Sequence, residues 1–279
     1  MKTVIVTDST CDLTKEQLSA LNVEAVPLSV IFGQESYLDG VDITKAEFFE
    51  KLMASSENPT TSQPSPDKFL EVFEKHKEQG NEVVFIGLSS MLSGTCQSAR
   101  IAKDMCDYDN IYVVDSLSAT AGIEVLVRVA CQMRDSGSSA KEISEKLTEL
   151  VPKVRVFAIF DTLKYLVRGG RLSKTAGAIG GALGVKPLIA VADGAVLSIG
   201  TARGIKNAFE KLSNIVEDAN INTDYPMVLT YTHNQENMMN FEAYMMDKGI
   251  NYNWIYGEVG SVIATHAGPG AVAVAYIVK

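Results

Sequence analysis

The strongest constraint on the fold is the alternation of short apolar segments with amphipathic ones in the first half of the chain. The runs KTVIVTDST, EVVFIGLSS and NIYVVDS have the length and composition of buried strands, and each precedes a segment with helical spacing of apolar residues. This order is typical of a parallel sheet with helices on both faces. The sequence therefore predicts an α/β domain in its N-terminal half.

Capping residues locate several of the predicted helices. Thr14 and Thr44 precede amphipathic segments, and a hydroxyl cap followed by proline indicates a further helix start at Ser65–Pro66. The apolar segment VEAVPLSVIF predicts one more strand. The hydroxyl-rich segment PTTSQPSP, residues 59–66, is stiffened by three prolines and predicts a rigid surface connection.

The pattern changes near Pro152. The following residues include KYLVRGGRLSKTAGAIGGALG, which contains six glycines, and two strand-like runs joined by the turn signal Asp193–Gly194. A hairpin beside helical segments indicates a mixed α+β domain. We therefore predict two domains, residues 1–152 and 153–279, with THAGPGA as a glycine-rich loop near the end of the chain.

Composition excludes several classes of function. The chain has 25 Lys and Arg against 34 Asp and Glu, a formal net charge of −9, which disfavours binding to nucleic acid or to anionic membranes. No apolar run approaches the roughly 20 residues of a membrane span, and the first residues do not form a signal peptide, so we expect a cytoplasmic protein. The cysteines lack the spacing of a metal site and are expected to be reduced packing residues: Cys11, Cys96, Cys106 and Cys131.

Short polar residues follow three of the predicted strands, namely Asp8 to Thr10, Ser89–Ser90 and Asp115–Ser116. In an open parallel sheet, ligands bind beyond the carboxyl ends of the strands. Ordinary helix caps and turns account equally well for such residues, and better in the case of Asp115–Ser116. Together the three ends predict that this edge of the sheet faces the ligand.

Two hydroxyl-bearing segments are candidates for an anion site. Ser93 and Gly94 come just after a strand end at a predicted helix start, where unpaired backbone N–H groups favour an anion. A plain serine cap is the alternative. Thr61 and Ser62 lie in the proline-stiffened segment, which either presents fixed donors or serves only as a surface connection.

A histidine and an arginine in glycine-rich surroundings complete the candidate set. His266 of THAGPGA lies among small residues that allow a ligand to approach, whereas His76 is predicted on a solvated helix face and His233 in a structural position. Arg171 of RGGRLSK can direct its guanidinium at a carboxylate or phosphate, or belong to an ordinary surface turn.

The sequence lacks the motifs of serine hydrolases and of nucleotide-binding proteins. Ser93 is not flanked by the glycines of a nucleophile elbow, and no phosphate-binding glycine loop is present. An esterase or thioesterase with a triad of Ser93, His266 and an acid such as Asp8 stays open, since geometry rather than spacing defines a triad. The remaining hydroxyls, amides and histidine suit a small anionic head on a long apolar body. Burying about 14 methylenes contributes roughly 11 kcal/mol gross.

The ordered motifs VTDSTCDL, TSQPSP, LSSMLSGTCQSA, VVDS, LKYLVRGGRLS, ARGIKNA and THAGPGA closely resemble the DegV family of bacterial fatty-acid-binding proteins over essentially the whole chain. The resemblance implies a two-domain α/β fold that holds a fatty acid between the domains. It implies a carrier without catalysis, metal or cofactor of its own. Such a carrier presents a bound acid such as palmitate to an ATP-dependent fatty acid kinase, which makes acyl phosphate for phospholipid synthesis.

The resemblance also assigns residues. Thr61 and Ser93, with the Gly94 amide nearby, match the positions that hold the carboxylate, and His266 and Arg171 match those linked to its phosphorylation. Ser62 is expected beside the same head group. Cys96 stands where an aromatic residue is usual, which leaves the preferred acyl chain open.

Overall fold

The computed structural model describes residues 2–55, 57–173 and 184–279, and these form the following strands and helices. The strands are β1 (Thr3–Asp8), β2 (Val23–Val26), β3 (Ser29–Phe32), β4 (Glu35–Leu38), β5 (Thr60–Ser62), β6 (Glu82–Gly87), β7 (Ile111–Asp115), β8 (Val154–Ile159), β9 (Val185–Ala192), β10 (Ala195–Arg203), β11 (Met227–Tyr231), β12 (Trp254–Glu258) and β13 (Val272–Ile277). The helices are α1 (Lys15–Leu21), α2 (Lys45–Ala54), α3 (Pro66–Glu78), α4 (Thr95–Cys106), α5 (Ala121–Asp135), α6 (Ala140–Leu150), α7 (Lys164–Arg168), α8 (Ile205–Glu217), α9 (Glu236–Asp247) and α10 (Ser261–Ala267).

The N-terminal sheet is parallel, with the strand order β2-β1-β6-β7. Successive strand residues point to opposite faces, so Val6 packs with α3 and α4, while Ile5 packs with α5 and α6. Helices therefore cover both faces, and the predicted α/β architecture is confirmed. Thr14 and Thr44 cap α1 and α2 through reciprocal side-chain and backbone hydrogen bonds, as predicted.

The C-terminal sheet is mixed, with the strand order β10-β9-β8-β13-β11-β12. Only β11 and β12 pair in parallel within it. The predicted hairpin joins β9 to β10, and Asp193 and Gly194 at its turn both have positive φ, as a tight hairpin turn requires. The mixed α+β prediction is confirmed. The boundary at residue 152 stays a prediction; it falls in a short turn just before β8.

Helix α5 lies between the two sheets and is buried along most of its length. It packs in one apolar cluster with Ile5 and Val84 of the first sheet and with Val156 and Ala275 of the second. Because most residues of α5 are buried, the helix needs cover from both sheets. Helix α5 begins immediately after Thr120, and its start lies beside the space between the two sheets.

Two predictions for the first half of the chain were wrong. The segment VEAVPLSVIF is not one strand, because Pro27, which has no N–H to donate to a ladder, separates β2 from β3. Strand β3 belongs to a separate antiparallel sheet of order β4-β3-β5. The second wrong prediction concerns residues 59–66, which were expected to form a surface connection but contain strand β5, the partner of β3. Thr61 is therefore held in a ladder opposite Val30.

The prediction for THAGPGA was also wrong in part. His266 lies on the short helix α10, and the glycine-rich residues begin only after it, where Gly268 ends the helix. His76 is buried and hydrogen-bonded to Glu24, and is not solvated. All four cysteines are buried, as predicted. The glycine-rich stretch continues into residues 174–183, which lie outside the described residues. None of the helices that the structure describes is long and apolar enough to cross a membrane.

Candidate functional site

A cavity of about 270 Å³ lies between the N-terminal and C-terminal sheets. Both halves of the chain line it, and most of its wall is aliphatic. The wall includes Leu28, Leu92, Val156, Ile189, Val191 and Val262. The predicted site residues Thr61, Ser62, Ser93, Arg171 and His266 all line this same cavity. The structure therefore brings together five of the six predicted residues, from positions more than 200 residues apart.

Thr61 and His266 form the direct polar contact of the site. Strand β5 holds Thr61 and helix α10 holds His266 in its last turn, and the Thr61 Oγ1 and His266 Nε2 atoms lie 2.9 Å apart. These residues are 205 positions apart in sequence. The contact thus depends on how the small β4-β3-β5 sheet packs against α10.

The imidazole of His266 is neutral at neutral pH. Burial is the main cause, and the positive charge of Arg171 a smaller one, of the lowering of the pKa of His266 to about 4. Its Nδ1 atom is buried without a hydrogen-bond partner among the described residues. The backbone of Gly169 lies against that atom, since a Cβ at Gly169 would stand 2.1 Å from Nδ1. Among the described residues, no carboxylate orients this ring from the Nδ1 side.

Ser93 and Gly94 form the approach to helix α4. The helix begins at Thr95 with Gly94 as its cap residue, and Ser93 Oγ accepts from the Thr95 N–H at 3.4 Å, so Ser93 also makes a local contact at the helix start. Ser93 Oγ lies 2.9 Å from Thr95 Oγ1. Gly94 stands behind the cavity wall, where the absence of a side chain makes room for the lining residue Gln63, whose Oε1 would be 2.2 Å from a Cβ.

Arg171 follows α7 and ties two segments of the site together. Its Nε donates to the Leu92 carbonyl at 3.1 Å and its Nη1 to the Gly169 carbonyl at 2.7 Å. The guanidinium thus links the end of α7 to the loop that carries Ser93. Ser62, next to Thr61, lines the cavity while remaining exposed, so the polar end of the cavity lies near the protein surface.

The serine, histidine and acid of a triad do not assemble. His266 Nε2 pairs with Thr61, and Ser93 pairs with Thr95. Asp8 accepts hydrogen bonds from the backbone N–H groups of Thr10 and Leu88, at 2.9 and 2.7 Å. Within the described part of the chain, no cluster of three or more His, Cys, Asp or Glu side chains is arranged to hold a metal ion.

Comparison with known proteins agrees with this fold and cavity. The model of a family described as "Uncharacterised protein, DegV family" matches residues 2–279. The chain belongs to the DegV family. A DegV domain-containing protein of Clostridium acetobutylicum is 37% identical over 278 residues, which cover 100% of this chain and 99% of that relative.

Solved structures of DegV proteins superimpose over the full length. A DegV family protein from Thermus thermophilus, described by its fatty acid binding, matches with a TM-score of 0.89 and 31% identity, covering 100% of both chains. A stearic-acid-binding protein from Eubacterium ventriosum matches with a TM-score of 0.89 and 33% identity, covering 100% of this chain and 99% of that one.

Three residues that shape this DegV cavity were not predicted from sequence patterns. Gln63 donates from Nε2 to Ser98 Oγ at 3.0 Å and lies over Gly94. Gly169 gives His266 the space it occupies. Thr120 lines the cavity with a φ of 52°, a conformation that β-branched residues rarely adopt. Of these three residues, only Gly169 belongs to a recognisable sequence pattern, the double glycine at 169–170. That pattern had been used to select Arg171 as a candidate.

Proposed function

We propose that this chain binds one long-chain fatty acid, such as palmitate, with the carboxylate at Thr61 and Ser93 and the acyl chain along the aliphatic wall. The observation that carries the proposal is the Thr61–His266 pair in a cavity whose wall is mostly aliphatic. Full-length relatives described as fatty-acid-binding and stearic-acid-binding support it.

The hydrogen-bond directions favour a carboxylate at Thr61. If the neutral imidazole of His266 donates its Nε2 proton to Thr61 Oγ1, the threonine hydroxyl keeps its own proton for the ligand. A carboxylate offers only acceptors, and it stays ionised in an apolar cavity only when donors surround it. Ser93 and Arg171 line the same cavity and would provide further donors.

Two other hydroxyls of the wall also have hydrogen-bond partners within the protein. Thr230 donates to the Gly257 carbonyl at 2.9 Å, and Thr232 accepts from the Ala271 N–H at 2.8 Å. Most of the remaining wall is aliphatic, which suits an acyl chain. Its burial yields about 0.8 kcal/mol per methylene, whereas each hydrogen bond to the carboxylate adds about 1.5–3 kcal/mol. The acyl chain therefore provides most of the affinity, and the head-group residues fix its direction.

The protein would act as a carrier rather than an enzyme. With the polar end of the cavity near the surface at Ser62, a bound carboxylate is accessible to a partner that phosphorylates it with ATP. His266 and Arg171 would then lie beside the carboxylate during the transfer. An ATP-dependent kinase partner of this kind places the carrier in the cytoplasm.

Mass spectrometry of the purified protein under denaturing conditions tests the proposal. We expect a long-chain fatty acid in a one-to-one ratio with the chain, and retention of added palmitate after delipidation. A chain that carries no acid and takes up neither palmitate nor oleate would refute it. Turnover of an acyl-ester probe that depends on Ser93 would indicate hydrolysis instead of binding.

A further inference from the structure

Two carboxylates from the first half of the chain hold the N-terminus of helix α10. Asp12 Oδ1 accepts from the Gly260 N–H at 2.9 Å, and Asp39 Oδ1 accepts from the Ser261 N–H at 3.0 Å. The first N–H groups of a helix have no partner within it, and its N-terminus carries partial positive charge. Both carboxylates therefore anchor the helix that bears His266 to the opposite half of the protein.

Asp12 also connects this anchor to the cavity. Its Oδ2 accepts a hydrogen bond from the Thr120 hydroxyl, and Thr120 lines the cavity just before α5. The backbone of Thr120 has a positive φ, which costs energy for a β-branched residue and persists only where its surroundings hold it. A single carboxylate thus joins the cavity wall to the start of α10.

The charges around this anchor are not balanced by a simple ion pair. Lys45 on α2 donates to the backbone carbonyls of Asp12 and Glu258. Burial raises the pKa of Asp12 to about 7, an effect that the charge of Lys45 opposes and the charge of Asp39 reinforces. Burying two neighbouring carboxylates is unfavourable for folding, and the hydrogen bonds that they accept at the start of α10 offset part of this cost.

We propose that Asp12 and Asp39 are positioning residues, which clamp the start of α10 so that His266 lies against Thr61, and that Thr120 couples this clamp to the cavity. Helix α10 has seven residues and spans about 10 Å, so a displacement of its first turn carries His266 with it. The inference rests on the proposed function, because the position it explains is that of the carboxylate-binding pair.

Imidazole NMR of the full chain, together with palmitate affinity, tests the clamp. The chain has only three histidines, so His266→Gln assigns the His266 signal. We expect Asp12→Ala and Asp39→Ala each to move that signal towards its position in Thr61→Val, and to weaken palmitate binding about tenfold, as for one lost hydrogen bond to a charged group. Asp12→Asn keeps an acceptor for the Gly260 N–H and should restore both properties.

A matched control removes a helix cap elsewhere. Ser139 caps α6, and Ser139→Ala should leave the His266 signal and the affinity unchanged. Folded alanine variants of both Asp12 and Asp39 with a wild-type His266 signal would overturn the clamp. The signal decides this even if the wild-type chain binds no fatty acid, a result that would refute only the proposed function.

Should the alanine variants not fold, Thr120→Val removes one hydroxyl and leaves both carboxylate contacts to α10. We expect it to move the His266 signal in the same direction and to weaken palmitate binding about threefold, less than the loss of a full charged hydrogen bond. An unchanged signal and affinity in Thr120→Val would overturn the coupling between the clamp and the cavity.

Discussion

Replacing Gly169 by alanine tests how the site depends on the close contact between the Gly169 backbone and the His266 imidazole. The backbone of Gly169 has a φ of −72°, which alanine adopts readily, so the effect is steric alone. The new Cβ would stand 2.1 Å from Nδ1 and 2.7 Å from Cε1 of His266, whereas ordinary contacts begin at 3.4 Å. The imidazole must therefore move by more than an ångström, which breaks its 2.9 Å contact with Thr61.

Loss of the orienting histidine weakens, without removing, one hydrogen bond to the carboxylate that is worth about 1.5–3 kcal/mol in full, so we expect palmitate to bind roughly threefold to tenfold more weakly. Calorimetric titration of delipidated protein measures this. Gly170→Ala is the matched control, because its φ of 72° adds backbone strain while its Cβ meets no atom of the described residues within 4 Å. Wild-type affinity in Gly169→Ala, or an equal loss in Gly170→Ala, would refute the reasoning.

Three further outcomes follow from the site. Thr61→Val removes the hydroxyl that both the ligand and His266 use and should raise the palmitate Kd about tenfold, more than Ser93→Ala; equal affinity to wild type would contradict the head-group assignment. His266 should titrate near pH 4 rather than 6.5 in NMR, because burial lowers its pKa. As the pH falls, His266 takes up its proton in the unfolded chain before it does so in the folded chain. It therefore contributes at most about 3 kcal/mol of stability above pH 6.5, and this contribution is lost as the pH falls through 4. Titration near 6.5 would show an exposed ring. Ala273→Leu narrows the cavity and should weaken long acids more than short ones, whereas a uniform loss across chain lengths would contradict an acyl-chain role for that wall.

Local patterns predicted the regular parts of the fold. The β1, β6 and β7 segments have strong apolar runs, and Thr14 and Thr44 sit directly before amphipathic helices, so propensity and packing agree. Strand β5 could not be read in this way, because its three residues lie between prolines and are extended only through their ladder with β3. Tertiary pairing, rather than propensity, made it a strand.

The site itself depended on contacts that no local pattern contains. Thr61 and His266 are 205 positions apart, and only the resemblance of whole motifs had placed them together. Asp12 carried no predicted role, yet its carboxylate accepts a hydrogen bond at the start of a helix 248 residues away. Asp8 looked like a ligand-facing acid, but its oxygens are occupied by backbone N–H groups of Thr10 and Leu88. Polar residues at strand ends therefore identify an edge of the sheet without assigning which of them meet the ligand.

A crystal structure of the delipidated chain reloaded with palmitate tests the central claim most directly. The account predicts one acid between the two sheets, with its carboxylate within hydrogen-bond distance of Thr61 Oγ1 and Ser93 Oγ and its acyl chain along Val156, Ile189 and Val262. A cavity without the acid, or a carboxylate at the opposite end from Thr61 and His266, would contradict it.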